Sequence, residues 1–97
     1  MRNGEIKNIN GSWNQEENAW VSETLCLTGD CYLDITMPDK ARLVIKKAEH
    51  IEGPYPKALV TRWVNPRIKI RMYGTTLHRY IRIYLTHTPD TIFLSSI

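Results

Sequence analysis

The sequence predicts an all-β fold: one antiparallel meander of about seven to eight strands that forms a small closed or partly open barrel. The apolar stretches are rich in β-branched and aromatic residues, which pack well on a pleated surface. Several stretches alternate apolar and polar residues with the period of two that strands require. Turn residues, chiefly Gly, Pro, Asn and Asp, recur at intervals of about ten residues, as hairpin-connected strands require.

The chain of 97 residues is expected to form a single domain over 1–97, because neither half could bury a core alone. Residues 1–10 contain few apolar side chains, so they are expected to form either a flexible arm or a short first strand. The dipeptide Asn10-Gly11 then predicts a turn, because both residues tolerate positive φ.

The first half of the chain predicts three strands after this turn. Residues 19–27 combine four apolar side chains and end at the turn 28–30. Residues 32–37 place three apolar side chains on one face, and Pro38 ends the strand because it cannot donate to a ladder. Residues 41–48 contain a short continuous apolar run, which indicates a strand buried at that point. A short loop would set the apolar residues of the last two strands on the same face.

The second half predicts four more strands. Residues 49–57 contain Gly and Pro and form a loop, which the strand 57–64 follows. Two runs, 67–72 and 80–85, alternate strictly between apolar residues and Arg, Lys or Tyr. After a turn at 87–90, the chain ends in a strand over 91–97.

The two alternating runs are expected to pair as a hairpin. A register that sets Arg71 opposite Tyr80 also sets Ile70 opposite Ile81, so one register satisfies both faces. The polar face of this hairpin interleaves cations with tyrosines: Arg67, Lys69, Arg71, Tyr73, Tyr80, Arg82 and Tyr84.

These residues form the predicted ligand-binding or nucleic-acid-binding site. Bases or sugars stack on tyrosine rings while Arg and Lys contact phosphates, as on sheets that bind single strands. Two other interpretations stay open. The face is either a solvated surface on which Arg stacks across strands on Tyr, or the lining of a barrel pocket for a small anionic ligand.

Charge is distributed unevenly along the chain, whose net charge is +3. Residues 1–52 contain nine Asp or Glu and six Lys or Arg, whereas residues 53–89 contain seven Lys or Arg and no acid. A basic surface formed by the second half would attract nucleic acid, an anionic ligand or an acidic partner. If the two halves instead lie side by side in one sheet, their charges offset each other.

The remaining chemistry-bearing residues favour a structural role. Trp20 and Trp63 are expected in the core. Cys26 and Cys31 are interpreted as two reduced thiols near a turn, with a cross-strand disulfide as the alternative if they lie directly opposite. The histidines occur in separate turns or strand ends, and no metal-binding, phosphate-binding or nucleophile motif is present. The sequence therefore predicts no catalytic residue, no enzyme activity, no metal and no cofactor.

Gly11-Ser12-Trp13, placed before a run of antiparallel strands, resembles the G-x-W opening of lipocalin-like (calycin) barrels. The ending with Asp90, Ile92 and Leu94 is similar to the close of some small, uncharacterised lipocalin-like bacterial domains. The resemblance implies that Trp13 closes one end of a barrel near the last strand. It implies no particular ligand and transfers no binding residue.

The leading functional prediction is a non-enzymatic binding module for a small molecule or a protein partner. The alternative is nucleic-acid binding through the face of the 67–85 hairpin. A second alternative is a structural or assembly subunit that forms a homo-oligomer through a strand edge. Neither a transmembrane run nor an apolar secretory signal is present, which predicts a cytoplasmic protein without a membrane partner.

Overall fold

A computed structural model of the chain describes residues 5–27, 29–48, 50–55, 57–73 and 80–96. These residues form ten strands and no helix. The strands are β1 (Ile6–Asn8), β2 (Gly11–Asn14), β3 (Ala19–Ser22), β4 (Leu25–Cys26), β5 (Cys31–Thr36), β6 (Ala41–Ala48), β7 (Lys57–Val64), β8 (Arg67–Met72), β9 (Tyr80–Leu85) and β10 (Thr91–Ser96). Within the described ranges, no helix has the length and apolar character needed to cross a membrane.

The strands form two sheets. Sheet A has the order β1-β10-β5-β8, and sheet B has the order β2-β3-β9-β6-β7, with β4 also pairing with β9. Every strand pairing is antiparallel. The predicted all-β antiparallel class is therefore confirmed.

The predicted meander and barrel are wrong. Among the described residues, only β2–β3 and β6–β7 pair as neighbours along the chain. β3 and β4 both pair with β9, and the remaining strands that follow one another lie in different sheets. The described residues form two separate sheets and no closed barrel. The physical reason is that an apolar strand face can be covered equally well by a second sheet or by closure of its own sheet.

One hydrophobic core lies between the two sheets, as in a β-sandwich. Sheet A contributes Leu33 and Ile35, and sheet B contributes Leu43 and Ile83, all with no exposed surface. The alternating residues that the sequence marks as apolar thus point inward on both sheets. Their polar neighbours point outward, so the sandwich has two outer faces on opposite sides.

Several strand bounds agree closely with the sequence prediction, and the number of strands is larger because β1 and β2 are added and one predicted strand divides in two. β6 and β7 have the predicted bounds, whereas the predicted strand 19–27 divides into β3 and β4. The division occurs at Ser22, whose buried hydroxyl accepts the Ile83 N–H at 2.8 Å and donates to the Glu23 carbonyl at 2.8 Å. β1 lies within residues 1–10, for which the sequence left a flexible arm or a short first strand open, whereas β2 consists of exposed residues and carries no apolar alternation that could have predicted it.

The predicted hairpin of residues 67–85 does not form. β8 pairs with β5 in sheet A, whereas β9 lies between β3 and β6 in sheet B. The predicted turn between these strands falls on residues 74–79, which include His78 and lie outside the described residues. The strands themselves are confirmed, but their partners are different, because alternation specifies the apolar face of a strand and not its neighbour.

One of the two tryptophans predicted in the core is exposed instead. Trp20 is 5% exposed and belongs to the core, as predicted, but Trp63 is 62% exposed on β7. Trp13, the predicted barrel-closing residue, lies opposite Trp20 on β2 and is 46% exposed, with no closed barrel among the described residues. Gly11 lies under the Trp20 indole, where a Cβ atom would be 2.7 Å from Trp20 Cε2.

Candidate functional site

The structure divides the predicted site residues between the two outer faces of the sandwich. Arg67, Lys69 and Arg71 project from β8 on the outer face of sheet A, which we call face A. Arg82 and Tyr84 project with Tyr80 from β9 on the outer face of sheet B, which we call face B. The two groups are not brought together, because the apolar faces of β8 and β9 point toward the same core from opposite sides.

Cations on face A are paired with carboxylates from the acidic half of the chain. Arg67 Nη2 lies 3.1 Å from Asp34 Oδ1, and the Asp34 side chain is only 6% exposed. Arg71 Nη2 lies 3.4 Å from Asp30 Oδ2, and this hydrogen bond is the main reason that the pKa of Arg71 is raised. β5 and β8 therefore offset each other's charge within one sheet, as one of the two charge interpretations predicted.

Two tyrosines of face A also contact its cations through their rings. Lys69 Nζ lies 4.7 Å from the centre of the Tyr32 ring, on the neighbouring strand. Tyr73, just after β8, is 57% exposed, and the Arg71 guanidinium lies 5.3 Å from its ring centre. The solvated-face interpretation predicted Arg on Tyr across the strands of the hairpin, whereas the cross-strand pair found here is a lysine on a tyrosine of β5, and Arg71 contacts a tyrosine two residues along its own segment.

Face B has a different electrostatic character. Its members on β6, β7 and β9 are Arg42 opposite Trp63, Val44 opposite Tyr84, and Lys46 opposite Arg82. Lys40 lies at one end, with its Nζ atom 4.8 Å from the centre of the Trp63 ring. Among the described residues, no carboxylate forms an ion pair with any of these cations.

Two further cations on face B rest on tyrosine rings. Lys46 Nζ lies 4.6 Å from the centre of the Tyr84 ring. The Arg82 guanidinium lies 4.5 Å from the Tyr55 ring centre, and its Nε donates to Thr24 Oγ1 at 3.0 Å. Because the rings carry no formal charge, they hold the cations in place without neutralising them.

Tyr55 is itself anchored to the chain around it. Its hydroxyl donates to the Ile51 carbonyl at 2.7 Å and lies 3.1 Å from Thr24 Oγ1. These contacts attach residues 50–55 to face B beside Arg82. Arg82 is therefore held by contacts within the protein. Lys40, Arg42 and Lys46 are the cations of face B best placed to bind a ligand.

Sequence reasoning missed Lys40, Arg42, Lys46, Tyr55 and Trp63 as members of a surface. The signal was present in β6, where Arg42, Val44 and Lys46 alternate with Ala41, Leu43 and Ile45, but the continuous apolar run at its centre obscured it. Trp63 had no such signal, since an exposed and a buried tryptophan look alike in a sequence.

A groove of about 200 Å³ crosses face B next to these cations. Its lining includes Glu17, Ala19, Arg42, Val44, Lys46 and Tyr84. Burial raises the pKa of the Tyr84 hydroxyl, and the Glu17 carboxylate raises it further, whereas Arg82 lowers it. The groove therefore combines an apolar floor, cations and one carboxylate.

The two cysteines are free and line a second cavity of about 260 Å³ at the end of the sandwich. Cys31 is 3% exposed and Cys26 is exposed. Burial raises the pKa of the Cys31 thiol, and the nearby Asp30 carboxylate raises it further. Among the residues that the structure describes, no three His, Cys, Asp or Glu side chains are grouped to hold a metal ion.

The thiols are expected to differ sharply in reactivity toward Ellman's reagent near pH 8. The thiolate is the reactive form, so a raised pKa and burial both protect Cys31, while Cys26 is accessible. The folded protein should release one equivalent of chromophore quickly and the second only on unfolding, and Cys26→Ser should remove the fast step. Equal rates for both thiols would contradict this expectation.

The chain has no match in comparisons with protein-family models, curated proteins and solved structures. The lipocalin-like resemblance therefore stays a prediction. What the chain does must be inferred from the geometry of its own surfaces.

Proposed function

We propose that the protein binds single-stranded nucleic acid on face B. The observation that carries the proposal is the contrast between the two faces. Two of the three cations on face A are paired with carboxylates, whereas those of face B rest on neutral rings or remain exposed. A surface that retains its positive charge attracts an anionic polymer, and phosphate contacts supply most of the affinity in such complexes.

The spacing of the cations suits an extended strand. Arg42 and Lys46 lie four residues apart on β6 and point to the same side, which places their Cα atoms about 13 Å apart. Lys40 extends this row beyond the start of the strand. A row of this length matches a site of about four nucleotides, the lower end of the range for small domains that bind single strands.

Trp63 supplies a stacking surface at one end of this row. Its side chain is 62% exposed and is held beside Arg42 and under Lys40. Stacking of one base on an aromatic side chain contributes about 1–3 kcal/mol and depends little on the identity of the base.

The leading prediction assigned the binding of a small molecule or a protein partner to the barrel or to its basic and aromatic face. The interior between the two sheets is instead filled with side chains such as Leu33, Ile35, Leu43 and Ile45, which have no exposed surface. We therefore rank the outer face above the interior as the binding surface.

The proposal is tested by fluorescence anisotropy with a labelled oligodeoxynucleotide of about 12 nucleotides. Wild-type protein is expected to bind at low salt, and log K should fall with log salt with a slope of about −2, as for about three phosphate contacts. The double variant Arg42→Gln/Lys46→Gln should bind about tenfold more weakly and with a shallower slope.

The matched control is Lys69→Gln/Arg71→Gln, which removes the same two charges from face A. This variant should bind within about twofold of wild type, because its side chains lie on the opposite side of the sandwich. Equal losses in the two double variants would show that only net charge matters. Absence of binding by the wild type at low salt would refute the proposal.

A further inference from the structure

The turn between β2 and β3 places one carboxylate beside the cations of face B. Asn14 Oδ1 accepts the Glu17 N–H at 3.0 Å, and the Asn18 N–H donates to the Gln15 carbonyl at 3.3 Å. Asn18 has a φ of 51°, a left-handed conformation that asparagine tolerates better than most residues. This local geometry holds Glu17 at the wall of the groove that Arg42, Lys46 and Tyr84 also line.

The position of Glu17 is unexpected for a surface that binds only phosphates. Glu17 and Tyr84 line the same groove, and the Glu17 carboxylate adds to the rise in the pKa of Tyr84 that burial mainly causes. A carboxylate repels phosphate but accepts hydrogen bonds from amino groups. A ligand that satisfies both sides of the groove therefore carries an anionic group toward Arg42 and Lys46 and an amino group toward Glu17.

A nucleotide with an exocyclic amino group has this combination. Cytosine presents an N4 amino group to a carboxylate, whereas uracil presents a carbonyl oxygen at the same position. The lining also includes the partly buried Val44 side chain, which is suited to contact with the face of a flat ring. Its volume of about 200 Å³ leaves room for one base.

We infer that this groove holds one unpaired nucleobase and that Glu17 selects bases with an exocyclic amino group, cytosine over uracil in particular. This inference rests on the proposed binding of single strands to face B. It adds a specificity-determining residue that the cationic row alone does not imply.

The experiment compares labelled oligodeoxycytidine and oligodeoxyuridine, each of about 12 nucleotides, by anisotropy at low salt and slightly alkaline pH. These polymers differ only at positions 3 and 4 of the ring, where cytosine has an acceptor nitrogen and an amino group and uracil has an N–H and a carbonyl oxygen, so their phosphate contacts are matched. Wild-type protein is expected to bind the cytidine polymer about tenfold more tightly.

Glu17→Gln should reduce this preference to about twofold or less, because the amide can both donate and accept. Glu16→Gln is the matched control: it removes the same charge from the same exposed turn, and Glu16 is not among the residues described as lining the groove. It should shift the affinity for both polymers by the same factor and leave their ratio unchanged.

The outcomes separate this inference from the proposed function. Equal affinity of the wild type for both polymers, or a ratio that survives Glu17→Gln, would overturn the role of Glu17 and leave single-strand binding intact. No binding to either polymer would refute both. If Glu16→Gln lowered the ratio of the two affinities as much as Glu17→Gln does, the preference would come from the net charge of the turn. That result would also overturn the inference.

Discussion

Replacing Ile83 with alanine is expected to lower the free energy of unfolding by about 2–5 kcal/mol. Ile83 has no exposed surface and lies on β9, which has paired strands on both sides in sheet B. The substitution removes three buried carbon atoms and leaves a cavity that the surrounding strands cannot fully close. Urea denaturation followed by tryptophan fluorescence measures the change, since the chain has three tryptophans.

The same substitution at two other positions provides the controls. Ile70→Ala lies on the edge strand β8, where the side chain is only partly buried, so a loss of about 1–2 kcal/mol is expected. Ile6→Ala lies at a position that is 63% exposed, and it should change stability by less than about 0.5 kcal/mol. If Ile70→Ala and Ile83→Ala had equal effects, the two strands would be equally central and the assignment of β8 to an edge would fail.

Gly11→Ala is expected to cost about 1–3 kcal/mol, an unusually large effect for an exposed edge strand. A Cβ atom at this position would lie 2.6 Å from the Val21 carbonyl oxygen, 2.7 Å from Trp20 Cε2 and closer still to Trp20 Cζ2. Trp20 is in the core, and Val21 O is part of the backbone, so neither can move freely. Relief requires β2 to shift away from β3. Thermal denaturation followed by circular dichroism in the far ultraviolet measures the loss.

Gly29→Ala is the matched control for this prediction. A Cβ atom there would meet nothing within 4 Å, and the backbone φ of Gly29 is not in the left-handed region. Its effect should be small, with stabilisation of up to about 1 kcal/mol through the unfolded chain. A similar loss in both variants would point to a general intolerance of alanine for glycine and against a close approach of Trp20 at position 11.

Most of the strands are predictable because their signals are local. Residues 41–48 and 57–64 form strands with the predicted bounds, and 67–72 and 80–85 are strands as their alternation predicts. Side chains on a strand alternate in direction whichever strands lie beside it, so apolar and polar residues alternate in the sequence for any topology. β2 was not predicted, because all of its residues are exposed and its sequence therefore shows no alternation between buried apolar and exposed polar residues.

The candidate site was predicted from a pairing that the fold does not contain. Arg67, Lys69 and Arg71 belong to one outer face, and Tyr80, Arg82 and Tyr84 belong to the other. Both runs show the same alternation in the sequence, so nothing local distinguishes an edge strand beside β5, which carries Asp34, from a strand at the centre of sheet B. The distinction depends on contacts between residues that are far apart in the chain.

The sequence by itself determined that the chain is all-β and antiparallel, which strands carry an apolar face and that the second half is basic. The tertiary structure alone decided that two sheets form instead of one closed meander, and which cations meet carboxylates. The physical reason is that alternation constrains each strand separately, whereas neutralisation of a charge requires a particular neighbour. β5 supplies Asp34 to Arg67, and the outer face of sheet B leaves Arg42 and Lys46 without such a partner among the described residues.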